Sequence, residues 1–318
     1  MERKAKGLSL VSGGLDSQLA VCVLREAGAE VEGVVFATPF FSPEGAKKAA
    51  AALNLKLHVI DFTADEIALI ENPPHGFGGA MNPCIDCHAK MIARAGELMA
   101  ELGYDFVATG EVQGQRPMSQ NKQSLGIVEK CSGLKGRLVR PMSAKLLEPT
   151  IPELEGKLDR EKLLDISGRG RERQIALAAE FGIVDYPSPA GGCKLTEEGF
   201  CRKLKDLKDH EGLGNRRLVE LLLVGRRFRL PGGSSVILGR DKNENEILKE
   251  LGRAHTPGAP LLSGRSPLPT IISSETPGPT ALVPVVKSEA DLEMARGIVR
   301  AWSRGGTGRE EFKPFQIC

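Results

Sequence analysis

The first half of the chain alternates short apolar runs with amphipathic stretches, and no other feature narrows the possible folds as far. GLSLV (7–11), VEGVVF (31–36), LKLHVIDF (55–62) and YDFVA (104–108) have the length and the Val, Ile, Leu and Phe content of buried strands. Helical patterns lie between them over 17–28, 43–53 and 87–102. Strands alternating with helices build βαβ units, so the expectation is an α/β domain with a parallel sheet and helices on both faces. Ligands of such sheets bind outside the carboxyl ends of the strands.

The pattern loosens between 110 and 170, where GEVQGQRPMSQNKQSLG and SGRGRERQ read as long polar loops, and such loops in a compact domain are usually functional. DYPSPAGGCKLT at 185–196 reads as the end of the first domain, which gives domains of 1–196 and 197–318. The second is expected to be a smaller α+β module: a charged helix (198–209), an apolar helix (216–224), the hairpin VGRRFRLPGGSSVILGRD, a helix (242–251), then a strand and helix over 281–302. Residues 254–281 hold six of the 20 prolines and read as a loop or linker.

With 41% hydrophobic and 26% charged residues, the 318-residue chain is neither collagenous nor wholly disordered. Its most apolar later run, LVELLLV, is far shorter than a membrane span needs, and the N-terminus lacks the apolar core of an export signal. The expected location is therefore cytoplasmic, with no membrane partner. There, seven cysteines are metal ligands, reactive thiols or buried apolar residues in preference to disulfides. A net charge of +2 argues against blanket electrostatic binding of nucleic acid, but the stretch 202–253 carries 13 Lys and Arg against 8 Asp and Glu.

Three motifs carry chemistry. Ser12, Gly13, Gly14, Leu15, Asp16 and Ser17 stand between the first strand and the first helix. Glycines let an anion approach the backbone, the hydroxyls can donate to it, and the helix N-terminus adds partial positive charge. That is a phosphate site; the plain alternative is a Gly-rich turn capped by Ser and Asp. Neither GxxxxGK[ST] nor GxGxxG is present, which disfavours an ordinary P-loop or dinucleotide fold.

The second motif, Asn82-Pro83-Cys84-Ile85-Asp86-Cys87-His88, puts a CxxC at a helix start, where thiol pKa is lowered and thiolate favoured; Cys193 in PAGGC is a third candidate. A structural Zn²⁺ site would recruit His88 or His75, a redox pair would need only two thiols, and a 4Fe-4S cluster could take three. The third motif, TGEVQGQRPMSQ from Thr109, would bring Gly110, Glu111 and Gln115 to the same strand-end crevice.

SGGLDS resembles the PP-loop of the ATP pyrophosphatase superfamily (adenine nucleotide alpha hydrolase-like fold). TGEVQGQRPMSQ resembles the loop that follows a PP-loop strand in tRNA 4-thiouridine synthases. NPCIDC and PAGGC are similar to the cysteine elements of PP-loop tRNA thiolases, 2-thiouridine synthases included. The resemblance covers about 6–196 and implies an enzyme that adenylates a tRNA uridine carbonyl oxygen and replaces it with sulfur. It implies ATP held by Ser12 to Ser17, with Asp16 on Mg²⁺ or ordering the loop. Cys84, Cys87 and Cys193 would then handle sulfur, in some members through a 4Fe-4S cluster with an open iron. Partners are tRNA and a donor, either sulfide or a persulfide carrier such as a cysteine desulfurase.

Known 4-thiouridine synthases carry an RNA-binding extension ahead of this domain, whereas here the PP-loop stands near the start. The RNA grip is expected instead in the C-terminal module, which over 215–290 resembles the RNA-binding domain of NFACT proteins. Arg226, Arg227 and Arg229 on the hairpin, and Arg169, Arg171 and Arg173 nearer the site, are the candidate phosphate contacts. Two alternatives stay open: a PP-loop ligase or sulfurtransferase acting on a small molecule, and a non-catalytic RNA-binding protein with a structural zinc.

Overall fold

A computed structural model of the chain describes residues 4–188, 192–253 (the last by its backbone only), 269–274 and 276–318. Two compact units emerge, Met1–Thr196 and Glu197–Cys318.

In the first unit five strands, β1 (Lys6–Leu10), β2 (Glu30–Ala37), β3 (Leu57–Asp61), β4 (Phe106–Ala108) and β5 (Leu138–Val139), form one sheet in the order β3-β2-β1-β4-β5. Every pairing is parallel. The helices are α1 (Leu15–Glu26), α2 (Glu44–Ala52), α3 (Thr63–Glu71), α4 (Cys84–Leu102), α5 (Lys122–Ser132), the single turn α6 (Ile151–Leu154) and α7 (Glu172–Glu180). They cover both faces because the strands alternate their buried side chains: Phe106 and Ala108 pack with Leu15, Leu19 and Val23 of α1, while Val107 packs with Ile92, Ala95 and Met99 of α4. The chain leaves β1 toward β2 and returns to β4 on the other side, which opens a crevice at the carboxyl ends of β1 and β4.

Helices α3, α5, α6 and α7 lie where a loop was expected or where no element was read, α7 starting inside SGRGRERQ. Residues 122–132 of the polar stretch form α5, started by Asn121, whose side chain accepts from the Ser124 N–H at 2.8 Å. The segment after LHVIDF forms α3, entered through Asp61, which accepts from the Thr63 N–H at 2.9 Å.

The second unit is a four-stranded antiparallel sheet of β6 (Arg226–Arg229), β7 (Ser235–Leu238), β8 (Thr270–Ser273) and β9 (Thr280–Val283), in the order β6-β7-β9-β8. Its helices are α8 (Glu198–His210), α9 (Arg216–Glu220), α10 (Lys242–Arg253), α11 (Glu289–Trp302) and the short α12 (Arg309–Phe312). Period-two alternation again sorts the faces: Val236, Leu238, Ala281 and Val283 pack against Ala295, Ile298 and Val299 of α11, whereas Ile237 and Leu282 pack against Leu248 of α10. Strand β8 corrects the expectation of an irregular run over 254–281; Thr270 to Ser273 pair with β9 despite the flanking prolines. Residues 254–268 of that run lie outside the described residues. Among the described residues no helix is long and apolar enough to cross a membrane.

Candidate functional site

Helix α1 begins immediately after β1, so its N-terminus faces the crevice, and no side chain caps it. Gly13 is required twice over. Its φ of +84° belongs to the left-handed region, and a Cβ there would stand 2.4 Å from the Gly45 carbonyl carbon at the start of α2. Ser17 Oγ donates to the Gly14 carbonyl at 2.8 Å, Ser12 Oγ and Ser17 Oγ lie 3.3 Å apart, and Gln18 Nε2 ties the Gly13 carbonyl (3.1 Å) to the Asp185 carbonyl (3.1 Å). Leu15 is buried in the core, so it can serve a ligand only through its backbone.

The third motif reaches the first directly. Gly110, just beyond β4, is so close to α1 that a Cβ would meet the Ser17 nitrogen at 2.6 Å. Gln115 Nε2 donates to Asp16 Oδ2 at 3.1 Å, leaving Asp16 Oδ1 buried without a hydrogen-bond partner among the described residues. An orphaned carboxylate oxygen beside a phosphate loop fits a divalent cation, which would be held by Asp16.

Glu111 does not reach toward a nucleotide, contrary to expectation. It is 5% exposed, and both oxygens are used: Oε1 by His88 Nδ1 at 3.0 Å, Oε2 by Thr109 Oγ1 at 3.0 Å and Arg140 Nε at 2.9 Å. Burial alone would raise its pKa, but the His88 hydrogen bond and the Arg140 charge hold the carboxyl down to about 2. It is a strut between β4 and α4.

A helix crossing between parallel strands starts at their carboxyl edge, which puts the CxxC of α4 on the same crevice. Asn82 Nδ2 donates to the half-buried Cys84 Sγ at 3.1 Å. Cys87 is buried and donates its thiol proton to Glu66 Oε2 at 3.0 Å. The expectation of a helix-activated thiolate therefore fails at Cys87. Burial first, then Glu66, then the charges of Cys193 and Cys84 push its thiol well above the ordinary 9.0. Those last two contributions also bring Cys193 and Cys84 within electrostatic range of Cys87. Cys193 is half-buried, on a segment pinned where the Lys194 N–H donates to the Phe40 carbonyl at 2.9 Å; Pro189, Ala190 and Gly191 lie outside the described residues.

Both histidines weighed as zinc ligands are engaged elsewhere, His75 Nδ1 with Asp86 at 2.5 Å and His88 with Glu111. As arranged here, no three His, Cys, Asp or Glu among the described residues are grouped to hold a metal ion. The cysteines thus have the donor chemistry of an open-iron cluster, but Cys87 is turned to Glu66 and keeps its proton.

The cluster of Arg169, Arg171 and Arg173 belongs to this crevice. The Gly168 N–H donates to the Gln113 carbonyl at 2.8 Å, which fastens the loop to the third motif. Arg169 is exposed, Arg173 pairs with Asp165 at 2.7 Å, and Arg171 Nε is buried without a partner among the described residues.

Residues 3–145 match the family model of the thiamine biosynthesis protein ThiI. A tRNA-specific 2-thiouridylase MnmA of Marinobacter nauticus is 25% identical over 290 residues, 80% of this chain and 70% of the relative. The MnmA of Cutibacterium acnes is 35% identical over 124 residues (33% and 34%). A probable tRNA sulfurtransferase of a Thermoanaerobacter species is 32% identical over 129 residues (38% and 32%). Over these residues the N-terminal unit is similar to tRNA thiolation enzymes. The chain spans 70% of the first relative and about a third of the other two. Among solved structures, a 4-thiouridine synthetase–RNA complex with bound ATP aligns over 68% of this chain and 52% of that one, with a TM-score of 0.41 and 19% identity.

Two residues of the N-terminal unit escaped sequence reasoning. Glu66 stands midway between Phe62 and Ile70, both fully buried, and a carboxylate in the apolar stripe of a helix is the signal that could have found it. Arg140, 3% exposed, follows the strand residues Leu138 and Val139 and is equally conspicuous as a charge in an apolar run.

The arginines of the second unit need a correction. Arg227 is 1% exposed and pairs with Asp206 (3.1 Å) and Glu211 (3.5 Å); Arg229 bonds Asp206 and Glu211 at 2.6 Å each and the Gly233 carbonyl at 2.7 Å. Both guanidiniums are turned to Asp206 and Glu211, and the one Arg227 nitrogen without a partner among the described residues, Nη1, is buried, so neither side chain is open to phosphate. Arg226 is half-buried and makes no ion pair among the described residues.

Proposed function

We propose that the chain is a cytoplasmic ATP-dependent tRNA sulfurtransferase. The observation that carries this reading is the meeting of two motifs at one strand edge: Gly110 against Ser17, and Gln115 on Asp16, with the cysteine helix starting at the same edge. The loop Ser12 to Ser17 and the α1 N-terminus would bind the pyrophosphate end of ATP. When bound, Mg²⁺ would offset phosphate charge beside Asp16. A uridine carbonyl oxygen attacks the α-phosphorus and pyrophosphate departs. A sulfur nucleophile then adds to the ring carbon, and AMP leaves with the original oxygen.

Sulfur is handled by Cys84, Cys87 and Cys193. In the thiol form, one cysteine takes the outer sulfur of a persulfide carrier and releases the carrier's thiol. That sulfur adds to the ring carbon, a second cysteine attacks the inner sulfur so that a disulfide forms as the S–S bond to the tRNA breaks, and an external thiol reduces the disulfide, with Glu66 positioned to receive the Cys87 proton. A second reading, a 4Fe-4S cluster on the same three sulfurs, draws support from their mutual electrostatic influence. It requires Cys87 to leave Glu66 and lose its proton. Anaerobic purification with iron, zinc and sulfide analysis separates the two: a colourless protein without metal supports the thiol form, and stoichiometric iron with sulfide supports the cluster.

The second unit is read as the RNA-binding module. Nucleoside analysis of tRNA incubated with the protein, ATP, Mg²⁺, a thiol reductant and either a persulfide donor or sulfide tests the whole proposal. A thionucleoside formed with AMP release is expected. AMP formed on a small-molecule acceptor with no thionucleoside on any tRNA would transfer the site to the small-molecule alternative.

A further inference from the structure

A cleft of about 570 Å³ opens in the C-terminal unit, between the start of β6, the turn into α10, the run Pro277 to Thr280 and the end of α11. It is lined by five Lys and Arg against two Asp and Glu. Neither acid is idle: Asp241 accepts from the Glu244 N–H at 2.9 Å as the start of α10, and Glu246 pairs with Lys249 at 2.8 Å. Arg240 is paired with Glu244. Arg226 and Lys242 make no ion pair among the described residues. Arg309 spends its Nε on the Ala301 carbonyl at 3.0 Å and lies 5.7 Å over the ring of Trp302, the only tryptophan of the chain.

The walls are fixed before any ligand arrives. A Cβ on Gly239 would stand 2.2 Å from Asn245 Oδ1, the atom that accepts from the Thr280 N–H at 2.8 Å. Gly278 is equally tight against Ser303 Oγ, at 2.3 Å. Trp302 is braced by Phe228 at 5.5 Å between ring centroids. A preformed recess with spare cations and an aromatic plane held under a guanidinium suits a phosphate joined to a flat ring.

We propose that this cleft binds a nucleotide of a single-stranded stretch of the RNA substrate, its base against Trp302 and its phosphates on Arg226 and Lys242. The assignment of RNA as ligand rests on the sulfurtransferase reading, while the site itself does not depend on the chemistry at the PP-loop. Because Trp302 is unique, its emission reports the cleft alone in the full-length protein. Titration with a short mixed-sequence oligoribonucleotide is expected to change that emission saturably. The double variant Arg226→Glu, Lys242→Glu is expected to weaken binding at least about tenfold and to lower the salt slope by about 2. Its melting temperature, followed in parallel, is expected to stay at the wild-type value because both side chains are unpaired.

RNA binding with no change in Trp302 emission, or with unchanged affinity in the double variant, overturns the proposal. So does an oligoglutamate peptide that produces the same response and displaces the RNA, since the cleft would then belong to an acidic peptide. Thionucleoside formation without a Trp302 response would sink the cleft and leave the enzyme reading intact. A Trp302 response without thiolation would do the reverse.

Discussion

Replacing Glu111 by Gln keeps the shape of a side chain that is 5% exposed but removes the charge facing Arg140 and His88. Arg140, with 2% of its side chain exposed, would retain only Glu129 at 3.3 Å as a charged partner, beside the Leu125 carbonyl at 3.0 Å. A carboxyl held at about 2 against an ordinary 4.5 contributes about 3 kcal/mol of stability. That agrees with the ~3–5 kcal/mol lost when one partner of a buried pair is removed. For a unit of this size the melting temperature should fall by about 6–12 °C. Since the folded pKa lies below the unfolded one, the wild-type contribution is complete above about pH 4.5 and is lost as pH falls toward 2; the gap between wild type and Glu111→Gln should narrow over that window. Both tyrosines, Tyr104 and Tyr186, lie in the N-terminal unit and the sole tryptophan in the other, so near-ultraviolet signals follow each unit separately. A variant melting within about 2 °C of wild type at neutral pH would refute the strut, as would failure of a Glu111→Leu, Arg140→Met pair to recover stability.

Asp16→Asn should reduce AMP formation by about 100-fold or more while leaving the melting temperature unchanged, measured by pyrophosphate release. Cys84→Ser and Cys193→Ser should each abolish thionucleoside formation yet still release pyrophosphate with tRNA, as shown by assaying both products in one reaction. Gly13→Ala should eliminate ATP binding in calorimetric titration, since its Cβ has no room beside Gly45 and its φ is +84°. The double variant Arg227→Ala, Arg229→Ala should cost the C-terminal unit ~3–5 kcal/mol by stranding the Asp206 and Glu211 charges, whereas Arg226→Ala should leave the Trp302-monitored melt unchanged.

The parallel sheet was legible because buried strands and crossover helices have different hydrophobic periods, and β1 to β4 fall where apolar runs alternate with helical ones. Helix α3 was not, because TADEIALIE offers few turns and its apolar stripe is broken by Glu66, whose burial depends on a cysteine 21 residues away. Helix α5 was hidden by polarity: KQSLGIVEKCS has only Leu125 and Val128 fully buried among its apolar residues, too few for its period to stand out. Strand β8 was concealed by proline density, yet prolines outside a ladder cost it nothing.

Within the site, residue type identified which motifs carry chemistry, but not what each side chain spends itself on. SGGLDS needed no partner to be recognised, because Gly13 and the uncapped helix start are local properties. Glu111 and Gln115 stand four residues apart in one loop and look equivalent in sequence. Only the approach of α4 and Arg140 turns Glu111 into a strut, and only the approach of α1 gives Gln115 the Asp16 carboxylate. The hairpin arginines divide in the same way. Arg227 and Arg229 alternate onto one face of β6, where Asp206 and Glu211 of the preceding segment neutralise them, while Arg226 falls on the other face and keeps its charge for the cleft. A local count of 13 basic against 8 acidic residues therefore overstates the cations open to RNA, because two of the most conspicuous have been spent on holding the fold together.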